Sequence, residues 1–243
     1  MGLNNLHQRI VLIRHSPALY DDRIITFLKQ NGVQPQVVHP YLGEQLGEVD
    51  SSVVATVVYG GPFNVFEEEK HPFLYTENKW IEDCLKRDIP LFGICQGAQS
   101  IAHVLGAHAG PLPGREYEFG YYEISATEAG REYFPERLVV TQSHFHEFHL
   151  PEGAELLASS EQFGQQAMKY GDQCFAFQFH AEATPEMFRG WQQKFTSRYG
   201  KPGVQPLEEQ NAMMEKHDRA QHDWFMQFQA SFFAGPLRQL QEA

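Results

Sequence analysis

Leu91-Phe92-Gly93-Ile94-Cys95-Gln96-Gly97-Ala98-Gln99 decides the reading of this chain. A short apolar run passes through Gly-x-Cys-x-Gly into a segment with helical spacing, where Ala98, Ile101, Ala102 and Leu105 share one face and Gly106 stops it. A strand that turns sharply into a helix lifts the turn residue above the sheet, as in a nucleophile elbow. Gly93 and Gly97 omit side chains where strand and helix crowd together. The helix directs its N-terminal dipole at the sulfur, which favours thiolate, and leaves the Gln96 N–H free for an oxyanion.

The segments around the elbow follow a βαβ rhythm. Residues 10–13, 36–38, 53–59 and 89–94 are short runs rich in β-branched residues and read as buried strands, and 21–30, 73–86 and 96–105 have helical spacing. From residue 117 the texture changes, with strands expected at 117–125, 138–141, 155–159, 165–170 and 174–179 and a hairpin signal at Gly171-Asp172. Thr184 is a suitable N-cap for a helix over 185–198. Beyond the Gly/Pro connector 200–206, residues 207–233 predict one long closing helix. The expected fold class is α/β: a three-layer sandwich with a mixed, mostly parallel sheet between helices, a small antiparallel section and a C-terminal helical extension.

A nucleophilic thiol needs a base, and the base needs an orienting group. Phe177-Gln178-Phe179-His180-Ala181-Glu182 ends an expected strand on a histidine with an acid two residues on. Tyr59-Gly60-Gly61-Pro62 ends another. In parallel sheets the carboxyl ends of strands gather the active site, so Cys95, His180, Glu182, Gly60 and Gly61 are expected together. Cys84 and Cys174 have apolar neighbours and read as structural thiols. The histidines His144, His146 and His149 beside Glu147 lack the spacing of a zinc-binding helix, so no metal is expected.

Bulk properties restrict the partners. With 31 acidic against 19 basic residues in 243, the formal charge of −12 would repel polyphosphate, which argues against nucleic acid. Three sparse cysteines form no disulfide framework and fit a reducing compartment. No apolar run approaches the ~20 residues of a membrane span. The polar start of the chain is unlike a signal peptide, and Leu6 disfavours myristoylation of Gly2. A cytoplasmic, soluble protein is expected.

Gly-Gly-Pro, Gly-Ile-Cys-Gln-Gly-Ala-Gln and Phe-Gln-Phe-His-x-Glu, in that order, resemble the class I (triad) glutamine amidotransferases, and most closely free-standing proteins similar to the amidotransferase domain of GMP synthetase. The resemblance spans about residues 10–191. A domain of this kind is expected over 1–200, and residues 201–243, which follow a short connector and carry apolar residues, are expected to pack on it as a helical extension. The resemblance implies a catalytic Cys95, His180 and Glu182, and oxyanion donors from the Gly60-Gly61 backbone and the Gln96 N–H. Gln99 matches the family's substrate-contacting glutamine, and Ser143-His144 the segment whose backbone receives the substrate's α-amino and carboxylate groups. Two positions depart from the pattern: Ala181 stands where proline is usual, and Phe145 where glycine is frequent, which bears on pocket shape. The implied reaction is hydrolysis of glutamine to glutamate and ammonia through a Cys95 thioester, with no cofactor. The ammonia would go to a separate synthetase subunit or be released. A γ-glutamyl peptidase with the same triad, and a non-catalytic regulatory protein on this scaffold, are the alternatives.

Overall fold

The computed structural model describes residues 8–17, 21–112, 114 and 117–242, so the chain start discussed above lies largely outside the described residues. The parallel half of the main sheet comes from β1 (Arg9–Ile13), β2 (Gln36–Val38), β3 (Val53–Val58), β4 (Leu91–Ile94) and β11 (Cys174–Phe177). They lie in the order β2-β1-β3-β4-β11, and the sheet continues as β10 (Ala167–Tyr170), β9 (Ala154–Ser160), β6 (Glu118–Ala126) and β7 (Arg137–His144). All pairings beyond β11 are antiparallel. A separate two-stranded antiparallel sheet joins β5 (Ala109–Pro111) to β8 (His146–Phe148).

Alternation along the parallel strands divides the core into two layers, because successive side chains point to opposite faces. Ile10 and Leu12 face one cluster with Phe27 and Leu28 of α1 (Arg23–Gln30), while Val11 and Ile13 face another with Trp80 and Ile81 of α2 (Phe73–Lys86) and Ile101 of α3 (Gln96–Val104). The first helix starts at Asp22, whose carboxylate accepts the Ile24 and Ile25 N–H groups, and stops at Asn31 before Gly32 in left-handed conformation. This is the expected three-layer α/β sandwich.

Helix α4 (Pro185–Lys194) starts as expected at Thr184, whose Oγ1 accepts the Met187 N–H at 3.3 Å. It is shorter than the sequence pattern suggests: Phe195 breaks it, and a 3-10 turn, Thr196–Arg198, follows. The long helix α5 (Leu207–Phe232) lies across the first layer, with Phe225 and Phe228 against Phe92 and Phe177. It does not close the chain, because a further helix α6 (Ala234–Glu242) begins after Phe233. Pro236 falls in the first turn of α6, where its missing N–H costs nothing, whereas continuation of α5 would set its ring against the preceding turn. Among the described residues, no helix is long and apolar enough to cross a membrane.

Candidate active site

Cys95 stands between β4 and α3 with φ 51° and ψ −108°, a conformation that non-glycine residues rarely adopt. Such a backbone costs on the order of 1–3 kcal/mol and persists only where its surroundings enforce it. Here they do: Cys95 N–H donates to Phe177 O at 2.8 Å, and a Cβ at Gly97 would lie 2.0 Å from Val58 O. Helix and sheet therefore approach too closely for any side chain at Gly97. The sulfur-bearing residue is 7% exposed at the head of α3.

His180 follows β11 and is held by its N–H bond to Thr141 O, 2.8 Å, on β7, the strand at the far edge of the antiparallel half. Its Nδ1–H donates to Glu182 Oε1 at 2.8 Å, which leaves Nε2 as the ring nitrogen for the thiol. Burial alone would lower the His180 pKa. The Glu182 carboxylate and then Cys95, through charge and hydrogen bonding, overcome that effect and push it up to about 10. The turn is clamped from α1 and α5. Arg23 N–H donates to Glu182 O at 3.0 Å, its Nη1 donates to Ala181 O at 3.0 Å, and its Nη2 pairs with Asp218 at 2.6 Å. Ala181, where proline was noted as usual, is thus held by an arginine.

The Gly60-Gly61 loop closes the third side. A Cβ on Gly60 would lie 2.8 Å from His180 Cε1 and 3.3 Å from Cys95 Cβ, and one on Gly61 would lie 2.3 Å from His15 Cβ. The loop is therefore pressed against His180, Cys95 and a second buried histidine, His15. Gln96 adds a side-chain tie: its Oε1 accepts the Phe63 N–H at 3.0 Å. The N–H of Gln96 sits in the first turn of α3, where backbone donors lack intrahelical acceptors.

The remaining sequence-expected residues lie around this centre. Gln99 is nearly buried, and its Nε2 donates to Gln178 Oε1 at 3.1 Å. His144 is buried with both ring nitrogens engaged, Nδ1 on His146 O at 2.9 Å and Nε2 on Glu118 at 3.1 Å. Its ring is thus built into the fold, and only its backbone is left for a ligand. Ser143 is half-buried near the end of β7, and its Oγ accepts from Arg198 Nη1 at 2.9 Å. Phe145 links β7 to β8, with its ring against Tyr117 (5.3 Å between centroids) and His146 (4.3 Å). Cys84 and Cys174 are buried, and burial pushes both thiols up, Cys84 to about 12.

Sequence reasoning missed the residues behind the loop. Arg14 and His15 lie directly after β1, at the same carboxyl edge as the named motifs, and that position was the signal available. His15 Nε2 pairs with Glu77 at 2.7 Å and its Nδ1 meets Tyr59 O at 3.0 Å, all within the interior. Burial disfavours the imidazolium, yet Glu77 outweighs it and raises His15. Arg14 lies over the Tyr59 ring and pairs with Asp22, to which Tyr59 Oη also donates.

Comparison with known proteins agrees with this architecture. The family model for glutamine amidotransferase class-I matches residues 19–193. A glutamine amidotransferase-like protein of Salmonella typhimurium, YfeJ, is 32% identical over 184 residues, covering 71% of this chain and 76% of that one. The glutamine-hydrolyzing GMP synthase of Campylobacter lari is 29% identical over 73% of this chain, but only 34% of its own length is matched. The chain thus spans about a third of that relative. A glutamine amidotransferase crystal structure from Thermotoga maritima superposes with a TM-score of 0.82 and 28% identity, covering 93% of this chain and 98% of that one. One from Methylobacillus flagellatus shares the fold, with a TM-score of 0.86 and 20% identity, covering 95% and 96%. With the family model over most of its length and a relative at 32% identity, the chain belongs to the class I glutamine amidotransferase family.

Proposed function

We propose that the protein hydrolyses the side-chain amide of glutamine, with Cys95 as nucleophile, His180 as acid and base, and Glu182 as its orienting group. The observation that carries this reading is the His180 Nδ1–Glu182 bond of 2.8 Å on a histidine whose charge is also coupled to Cys95. Cys95 gives its proton to His180 and attacks the amide carbon. The Gly61 and Gln96 N–H groups receive the oxyanion. His180 then protonates the departing ammonia, and the γ-glutamyl thioester is hydrolysed by a water that His180 deprotonates. The residues provide nucleophile, proton carrier and oxyanion donors, so these steps call for no cofactor.

The matched relatives include a GMP synthase [glutamine-hydrolyzing], of which this chain corresponds to about a third. Delivery of the ammonia to a separate synthetase subunit fits that relationship. The same chemistry on a γ-glutamyl peptide bond is the competing reading. Purified protein should release ammonia and glutamate from glutamine faster than it cleaves γ-glutamyl dipeptides or glutathione conjugates. Faster cleavage of a dipeptide would make it a γ-glutamyl peptidase, and inactivity on all would leave a regulatory role.

A further inference from the structure

Among the described residues, Arg198 is a cation without a carboxylate partner. The two most buried arginines are neutralised, Arg14 by Asp22 and Arg23 by Asp218. Arg198 ends the 3-10 turn after α4 and is half-buried, yet no ion pair includes it among the described residues. Its Nη1 donates to the neutral Ser143 Oγ at 2.9 Å, and its guanidinium carbon lies 3.9 Å from the Phe195 ring centroid and 5.3 Å from that of Phe119. A guanidinium has five N–H donors, so among the described residues one serine leaves most of its capacity unused.

Two chains of contact link this cation to the surroundings of His180. Ser143 lies two residues beyond Thr141, whose carbonyl holds the His180 N–H at 2.8 Å. On the other flank Trp191, one helix earlier, packs edge-on against the His180 ring with centroids 4.8 Å apart. Cys95 lies within electrostatic reach of the guanidinium: burial lowers the Arg198 pKa, and Cys95 and Tyr117 act to raise it. Stacking on Phe195 holds the planar fork in place, which suits two-point recognition of a carboxylate.

We propose that Arg198 recognises the α-carboxylate of the substrate and so restricts the site to γ-glutamyl compounds that carry a free one. This rests on the reading of Cys95 as the nucleophile toward a γ-amide. Glutamine and γ-glutamyl peptides share that carboxylate, so the assignment serves either acyl donor. Arg198 lies beyond residue 193, outside the stretch matched by the family model.

The test compares two alkylating probes: a diazoketone analogue of glutamine, and the same compound with its α-carboxylate converted to a primary amide. Neutral iodoacetamide serves as the control for an intact, reactive Cys95. The wild-type protein should be inactivated at least about tenfold faster by the carboxylate form. Arg198→Met should erase that preference when each diazoketone rate is taken relative to the same protein's iodoacetamide rate, and Arg198→Lys should keep part of it. With glutamine as substrate, Arg198→Met should raise KM about tenfold or more and leave kcat within about twofold, as loss of uniform binding requires. A preference retained in Arg198→Met, or equal rates of the two probes in wild type, overturns the assignment and leaves the role of Cys95 standing. If iodoacetamide modifies Cys95 but neither diazoketone does, the γ-amide reading falls and the assignment falls with it.

Discussion

The Gln96 side-chain oxygen accepts the Phe63 backbone N–H at 3.0 Å, which ties the strand-to-helix turn at Cys95 to the Gly60-Gly61 loop. One residue therefore offers a backbone donor beside Cys95 and, through its side chain, sets the position of the opposite wall. Elbow and loop come from different strands, β4 and β3, and nothing in their local sequence fixes the gap between them.

Gln96→Ala should keep the fold and lower turnover by about tenfold to a hundredfold. The change leaves the Phe63 N–H without its acceptor, at about 1–3 kcal/mol, and loosens the loop, while the Gln96 N–H survives. The loss should fall short of the ~10²–10³ that follows removal of an oxyanion donor outright. Steady-state kinetics with a circular dichroism melt would measure both effects. Unchanged kcat would mean that the loop needs no such tie.

Glu182→Gln should change how stability depends on pH. In wild type the folded His180 pKa is raised to about 10, above its ordinary value of 6.5. The stabilisation from binding that proton is complete below about 6.5 and is lost as pH rises through about 10. Glu182→Gln removes the carboxylate that raises it. The stability advantage of wild type over the variant should therefore be largest near pH 6 and shrink toward pH 10. Urea unfolding of both proteins across this range would show it, and an advantage that grew with pH would refute the assigned charge state.

Glu77→Leu should destabilise the protein by about 3–5 kcal/mol, because it strands the buried His15 without its counter-charge. It should also lower kcat, since His15 Nδ1 meets Tyr59 O at the root of the glycine loop. Thermal unfolding together with turnover would separate the two consequences. A stable variant with normal kcat would show that the dyad is dispensable.

Phe228→Ala should cost about 3–5 kcal/mol. The ring sits 4.8 Å from that of Phe177 and 5.4 Å from that of Phe175, both on β11, the strand that leads to His180. We propose on this basis that residues 201–243 fold as one unit with the rest. A single cooperative transition at lower temperature is expected by calorimetry, and two separate transitions would contradict it.

Much of this was legible in the sequence, because the parallel strands are short apolar runs at regular intervals and the elbow requires glycine on both sides of Cys95. The small sheet of β5 and β8 was not legible: each strand has three residues, too few for a period, and β5 contains Gly110 and Pro111. The end of α5 was legible to within one residue, but the further helix α6 was overlooked although Gly235-Pro236 marks its first turn. Cys95, His180 and Glu182 stood out through motif order. Arg198, His15 and Glu77 did not, because their significance lies in contacts across 55 and 62 residues of sequence that no local pattern encodes.

The central claim is a covalent intermediate on Cys95. Protein mixed with glutamine, quenched in acid during turnover and mapped by peptide mass spectrometry, should carry a γ-glutamyl adduct on the Cys95 peptide. The adduct should be absent from Cys95→Ser, which should also fail to form glutamate, and it should not accumulate in His180→Asn. Glutamate formed without any adduct on Cys95, or an adduct found on Cys84 or Cys174 instead, would contradict the account.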